Sequence, residues 1–246
     1  FLGNSLGLQP VATQEALMNV MHSWANLGVE GFFLGADPWM DYHKKIVPLI
    51  SRIVGALPEE VVTMNHLTVN LHLLMISFYN PTPQRYKIIC EAKAFPSDQY
   101  ALQSQARLHG FDPEDAIIEV HPKAGTEIIT TADIVETIEQ HKDSVALVLF
   151  SGINYYTGQV FDIKAITAAA HQAGAKAGFD LAHATGNIKL QLHDWDADFA
   201  CWCNYKYLNS GPGSVAGAFV HQRHLNDSSI KRLEGWWGND AGNRFK

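Results

Sequence analysis

The chain has 246 residues, 47% hydrophobic and 17% charged, with a formal net charge of −7. That length and apolar content predict a sizeable core, in one large domain or two small ones, and exclude a disordered chain. The acidic balance offers no basic stripe for nucleic-acid phosphates, and no apolar run reaches the length of a membrane span.

Residues 10–27 read as an amphipathic helix with Val11, Leu17, Val20, Met21 and Trp24 as apolar positions. Residues 45–54 read as a second helix, and residues 68–78, apolar nearly all round, as a buried one. From there strands and helices alternate. Strands are predicted at 86–91, 116–121, 145–150, 175–179 and 199–203, and helices at 97–109, 131–141 and 163–173. No internal repeat interrupts them. This rhythm predicts an α/β fold, a mostly parallel sheet with helices on both faces. Ligands of such sheets bind outside the carboxyl ends of the strands.

The three cysteines are too few for a disulfide framework, and all lie on predicted strands. They read as reduced, buried thiols of a cytosolic protein. The Asn226-Asp-Ser228 sequon carries no weight without a secretory signal. His221 and His224 have a spacing that suits a metal, but no third ligand is evident, and no metal is expected. The chain begins at Phe1 rather than methionine, which reads as a piece of a longer protein.

The strand ends carry the chemistry. Lys206 falls just past an apolar strand and before a Gly/Pro loop. Burying an ammonium without a partner is costly, so a lysine delivered by a core strand calls for a reason, such as Schiff-base chemistry in which it is neutral part of the time. The strand before it delivers Asp180 and then His183. Another strand delivers Ser151. Phe95-Pro-Ser-Asp98 opens one helix, and Thr68 opens another. Each signal alone has a plain alternative: a turn cap for Asp180, a structural histidine for His183, core for Phe95, an N-cap for Thr68. Together they suit pyridoxal phosphate. That cofactor needs an amine for its aldehyde and a carboxylate at its pyridine nitrogen. It gains from a flat side chain on the ring, and from hydroxyls and helix N-termini around the phosphate. Lys206, Asp180, Phe95 and Thr68 offer these in turn. No G-x-G-x-x-G or G-x-x-x-x-G-K-[ST] run is present to support a nucleotide instead.

These stretches also carry a resemblance. Phe1-Leu-Gly-Asn-Ser-Leu-Gly7, Leu67-Thr-Val-Asn-Leu-His72, Glu91-Ala-Lys-Ala-Phe-Pro-Ser-Asp98, Phe179-Asp-Leu-Ala-His183, Tyr205-Lys-Tyr-Leu-Asn209, Gly235-Trp-Trp-Gly238 and Arg244-Phe245 resemble the kynureninases, fold-type I pyridoxal-phosphate hydrolases, from end to end. The Asp-to-Lys arrangement alone would also suit aminotransferases or cysteine desulfurases. A desulfurase needs a mobile reactive cysteine, and Cys201 and Cys203 lie in a predicted strand.

The resemblance implies hydrolysis of L-kynurenine or its 3-hydroxy form to an anthranilate and L-alanine, in tryptophan catabolism and NAD biosynthesis. It matches Lys206 to the Schiff-base lysine, Asp180 to the pyridinium partner and His183 to its neighbour beside the cofactor. Leu67, Thr68, Ser151 and Tyr205 match phosphate-site positions. Phe95, Pro96, Ser97 and Asp98 match the segment against the ring. Tyr205 is the candidate for acid–base help. Trp236 matches a tryptophan that reaches a cofactor across a dimer interface, so a homodimer is implied. Residues 1–246 then form the cofactor-binding large domain, with residues 1–40 at the dimer and active-site edge.

Two positions border the substrate in the family and vary here. Asn239 stands where histidine is common, and Phe32 where members carry histidine or a large aromatic. Family members also continue beyond Lys246 into a small C-terminal domain that supplies an arginine for the substrate carboxylate.

Overall fold

The computed structural model describes residues 2–236 and 242–243. Its centre is a seven-stranded sheet. Strands β1 (Val61–Thr63), β2 (Lys87–Glu91), β3 (Ile117–Val120), β4 (Val145–Ser151), β5 (Lys176–Asp180), β6 (Phe199–Trp202) and β7 (Gly217–Val220) lie in the order β1-β7-β6-β5-β4-β2-β3. The five strands from β3 to β6 in that order run parallel, and β7 is antiparallel to both β6 and β1. The expected mostly parallel sheet is therefore present.

Period-two alternation sends the strand side chains to two cores. Ile89, Val148, Phe150, Ala200 and Trp202 face a cluster with helices α2 (Tyr42–Val54), α6 (Thr131–Gln140) and α7 (Ile163–Gln172). Ile88, Cys90, Leu147, Leu149, Phe199 and Cys201 face α3 (Leu67–Phe78) and α4 (Pro96–Leu108). Burial on both faces explains why β4 reads as an unbroken apolar run. Gly178 in β5 makes room for this packing, because a Cβ there would lie 2.1 Å from the Phe199 ring.

Three sequence expectations change. Helix α1 (Thr13–Leu27) forms, but none of its residues is buried, and Leu17, Met21 and Trp24 stand exposed. A short helix, α5 (Pro113–Ala116), capped by Asp112, takes the place of the start of the expected strand at 116–121. Strands β1 and β7 have three and four residues, too few to display a period, and were not expected. No helix among the described residues is long and apolar enough to cross a membrane.

Candidate active site

The parallel strands end at one rim, where β2 delivers Glu91, β4 Ser151 and β5 Asp180. Register places Ser151 beside Asp180 and Asp180 beside Cys201. The turn after β6 carries Tyr205 and Lys206 to the same rim. A cavity of about 330 Å³ opens there. Leu67, Thr68, Phe95, Ser97, Asp98, Ser151, Asp180, His183, Tyr205 and Lys206 all line it. Side chains expected from five separate stretches of sequence thus meet in one space.

Lys206 is half-buried, with Nζ 3.2 Å from His183 Nε2 and 5.9 Å from the centre of the Phe95 ring. Burial, and then the Lys206 charge, push His183 down to about 4. The imidazole is therefore neutral at neutral pH and accepts a hydrogen from the ammonium. Phe95 is the cap residue of α4 and its ring remains 46% exposed, edge-on to Tyr155. An aromatic side chain left half-open over the cavity is suited to a flat ligand. Pro96 sits outside the lining and starts α4, where its missing N–H costs nothing.

The N-terminal ends of α3 and α4 converge. Thr68 Oγ1 and Ser97 Oγ are 2.9 Å apart. Both hydroxyls, and the unpaired first N–H groups of α3, face a place where an anion is favoured.

Asp180 and Asp98 form a buried acid pair, each 5% exposed. Asp180 Oδ1 accepts from Ala182 N at 2.7 Å. Burial raises both carboxyls, and the neighbouring Asp180 charge drives Asp98 further, well above the usual range. Two carboxyls in contact share a proton rather than ionise together. Their mutual contact raises Asp98 and lowers Asp180, so the shared proton is favoured on Asp98. Among the described residues Asp98 Oδ1 has no hydrogen-bond partner, although it is shielded from water. A ligand N–H entering the cavity would satisfy this acid pair, so the residues present fit a pyridine ring as well as its phosphate and aldehyde. Tyr205 is pushed up to about 12 by burial and by the Cys203 thiol, so its hydroxyl keeps its proton.

Two expected residues lie elsewhere, and one is outside the description. Phe32 packs edge-on against Trp39, and Trp236 is half-exposed; neither is among the cavity's lining residues. Asn239 lies outside the described residues. Several lining residues were not named individually from the sequence: Asn4, Ser5, Ile153, Tyr155 and Ala182, the first two in the segment expected at the active-site edge. Glu91 also stands behind Ser151, a role its position at the end of an apolar strand could have revealed.

At the opposite rim the structure supplies a third polar group near His221. Ligand atoms of Glu60, His193 and His221 lie within 4.8 Å of one another. The two imidazoles stack, however, with planes 11° apart and centres 4.9 Å apart. Nitrogen lone pairs lie in the ring plane, so stacked rings do not converge on one ion. Glu60 instead accepts from His193 Nδ1, Leu57 N and Gln222 N, as a buried carboxylate in a hydrogen-bond network.

Fold and site define an α/β protein of the doubly covered sheet class, with a lysine and a buried acid pair at the carboxyl rim. A model of the class-V aminotransferase family matches residues 15–228, and the chain belongs to that family. Among curated relatives, kynureninase of Flavobacterium psychrophilum is 60% identical over all 246 residues, and kynureninase of Nematostella vectensis 55%. The chain spans 58% and 53% of their lengths. Among solved structures, a cystine C-S lyase, C-DES, in complex with cysteine persulfide superposes with a TM-score of 0.76 at 17% identity, over 95% of this chain and 60% of that one. A cysteine desulfurase of Thermococcus onnurineus gives 0.69 at 17% identity, over 91% and 54%. At such identity these two speak to the fold alone.

Proposed function

We propose that this chain is the cofactor-holding large domain of a kynureninase, an enzyme that uses pyridoxal phosphate to hydrolyse L-kynurenine or 3-hydroxy-L-kynurenine to an anthranilate and L-alanine. The observation that carries the reading is that Lys206 and the buried Asp98–Asp180 pair line one cavity, beside paired hydroxyls at two helix starts. Identity of 60% to a curated kynureninase selects this chemistry over that of a desulfurase. The buried positions of Cys201 and Cys203 agree, since neither can swing to a substrate.

Pyridoxal phosphate supplies an aldehyde for the substrate's amine and a ring that draws electrons from the adjacent carbon. The protein's residues do the rest. Thr68, Ser97 and the first turn of α3 would hold the phosphate, Asp180 would serve the ring nitrogen and favour its protonated form, and Phe95 would offer its face to the ring. Lys206 would anchor the aldehyde and move the substrate's α-proton, with neutral His183 holding its Nζ in place. Tyr205, which keeps its proton, donates to the substrate carbonyl as water adds to it.

Trp236 and Phe32 belong to the edge of a homodimer in this reading, and the uncovered apolar face of α1 supports residues 1–40 as part of that edge. Three buried, unpaired cysteines favour the reducing cytoplasm.

The test uses the full-length gene product. It should be yellow with pyridoxal phosphate, dimeric by light scattering, and release fluorescent anthranilate from kynurenine. Lys206→Ala should lose the lysine-bound visible band and the turnover together. A protein that is yellow but inert toward kynurenine, or a Lys206→Ala variant that keeps band and turnover, would overturn the reading.

A further inference from the structure

Glu91 has no task in the chemistry above, yet it is a carboxyl buried at the end of β2 with 2% of its surface exposed. Both of its oxygens are taken by one residue. Ser151 N lies 3.2 Å from Oε1 and 3.1 Å from Oε2, and Ser151 Oγ lies 2.5 Å from Oε1. Packing alone would be served more cheaply by an apolar side chain, because an unneeded buried carboxyl is costly. Ser151 in turn lines the cavity and sits in register with Asp180.

A serine hydroxyl has one hydrogen. With Glu91 ionised, that hydrogen points at Oε1 and only lone pairs face the cavity. With Glu91 protonated, its own O–H can make the short contact, and the serine hydrogen is released toward the cavity. We propose that Glu91 is a positioning residue whose protonation decides whether Ser151 offers a bound cofactor a lone pair or a hydrogen. The proposal rests on the pyridoxal-phosphate reading of the site.

The surroundings support a change of state near neutrality. Around Glu91 are Ser151 on β4, Asp180 on β5 and Asp98 on α4, with the Cys90 thiol next to it on its own strand but on the opposite face. Burial, and then the Asp180 charge, push Glu91 up to about 7.

Glu91→Gln separates the states. Its amide can accept from Ser151 N and donate to Oγ, which holds the serine in the arrangement of protonated Glu91 at every pH. The measurement is the dissociation constant of pyridoxal phosphate, titrated into the full-length apo protein and read by the visible band. The ratio of wild type to Glu91→Gln should be near one at about pH 6 and change about fivefold by about pH 8.5, the worth of one hydrogen bond. Taking the ratio cancels titration of the cofactor itself. Ser151→Ala should remove the pH-dependent part by itself, which keeps the test open should Glu91→Gln fail to fold. A ratio independent of pH, or a Ser151→Ala protein with the wild-type pH dependence, overturns the proposal and leaves the cofactor reading standing. A wild type that takes up no pyridoxal phosphate overturns both.

Discussion

Phe95 shows how a single residue betrays a ligand. Phe95 is 46% exposed, so about half of its area stays in water and it contributes less to the fold than a core aromatic. Its value lies in stacking, so Phe95→Ala should cost only about 1 kcal/mol of unfolding free energy in urea titrations, well short of the loss from a core phenylalanine. Pyridoxal-phosphate affinity should fall about fivefold, the worth of one aromatic contact. Unchanged affinity with lost stability would make Phe95 a core residue, which is the reading its sequence context first offers. At this scale the site was largely legible. Lys206, Asp180 and Ser151 were found because apolar strands end in polar residues at one rim. Glu91 was passed over although it closes an apolar strand in the same way, because it points at a serine rather than at the cavity's centre. Asn4 and Ser5 were expected only as part of residues 1–40 at the active-site edge, because no local pattern announces which residues of so distant a segment reach the cavity.

At the scale of elements, the turn that carries Lys206 is held from outside itself. Gly7 N donates to Tyr205 O at 2.8 Å, and Leu8 N to Asn209 Oδ1 at 2.9 Å. Asn209 adopts a left-handed backbone with φ 55°, a conformation that costs a non-glycine residue energy and is kept here by these contacts. The fit is close: a Cβ on Gly7 would lie 2.1 Å from Lys206 O and 2.2 Å from Asn209 Oδ1. Gly7→Ala should therefore push the lysine turn out of place, costing about 1–3 kcal/mol of stability as overpacking does. The lysine-bound visible band should weaken at fixed cofactor concentration. Gly3→Ala serves as the control, because nothing lies within 4 Å of a Cβ there. Equal behaviour of the two variants would remove the clip from the account of the site. The same principle explains what element-level pattern reading could and could not reach. Long, periodic segments such as α3, α7 and β4 were readable, whereas β1 and β7 owe their existence to pairing with strands already in place. Helix α1 was readable as a helix, but whether its apolar face would be covered was a tertiary matter.

For the whole molecule, the rim opposite the cavity carries the electrostatic tie that joins distant parts of the chain. Asp198 is fully buried before β6. It accepts from Ala177 N at 2.7 Å, His171 Nε2 at 2.9 Å, His224 Nε2 at 2.7 Å and Arg223 Nη2 at 2.7 Å. Burial alone would raise this carboxyl, but the bonds from His171 and His224, the backbone N–H and the Lys176 charge outweigh it and hold it well below the usual range. A carboxyl whose folded value is depressed stabilises the fold above its unfolded value, about 3.9, and loses that contribution as pH falls. The Asp198 contribution should thus be flat around neutrality and be lost below about pH 5. Asp198→Asn leaves the imidazole and guanidinium partners facing a neutral amide, and should cost on the order of 3 kcal/mol at neutral pH. The difference between variant and wild type should shrink toward acid pH, because the wild-type carboxylate is itself being neutralised there. Urea titrations of the two full-length proteins at neutral and acid pH measure this directly. A gap that stays constant with pH would mean that Asp198 acts through its shape and backbone bonds, with its charge contributing nothing to the fold.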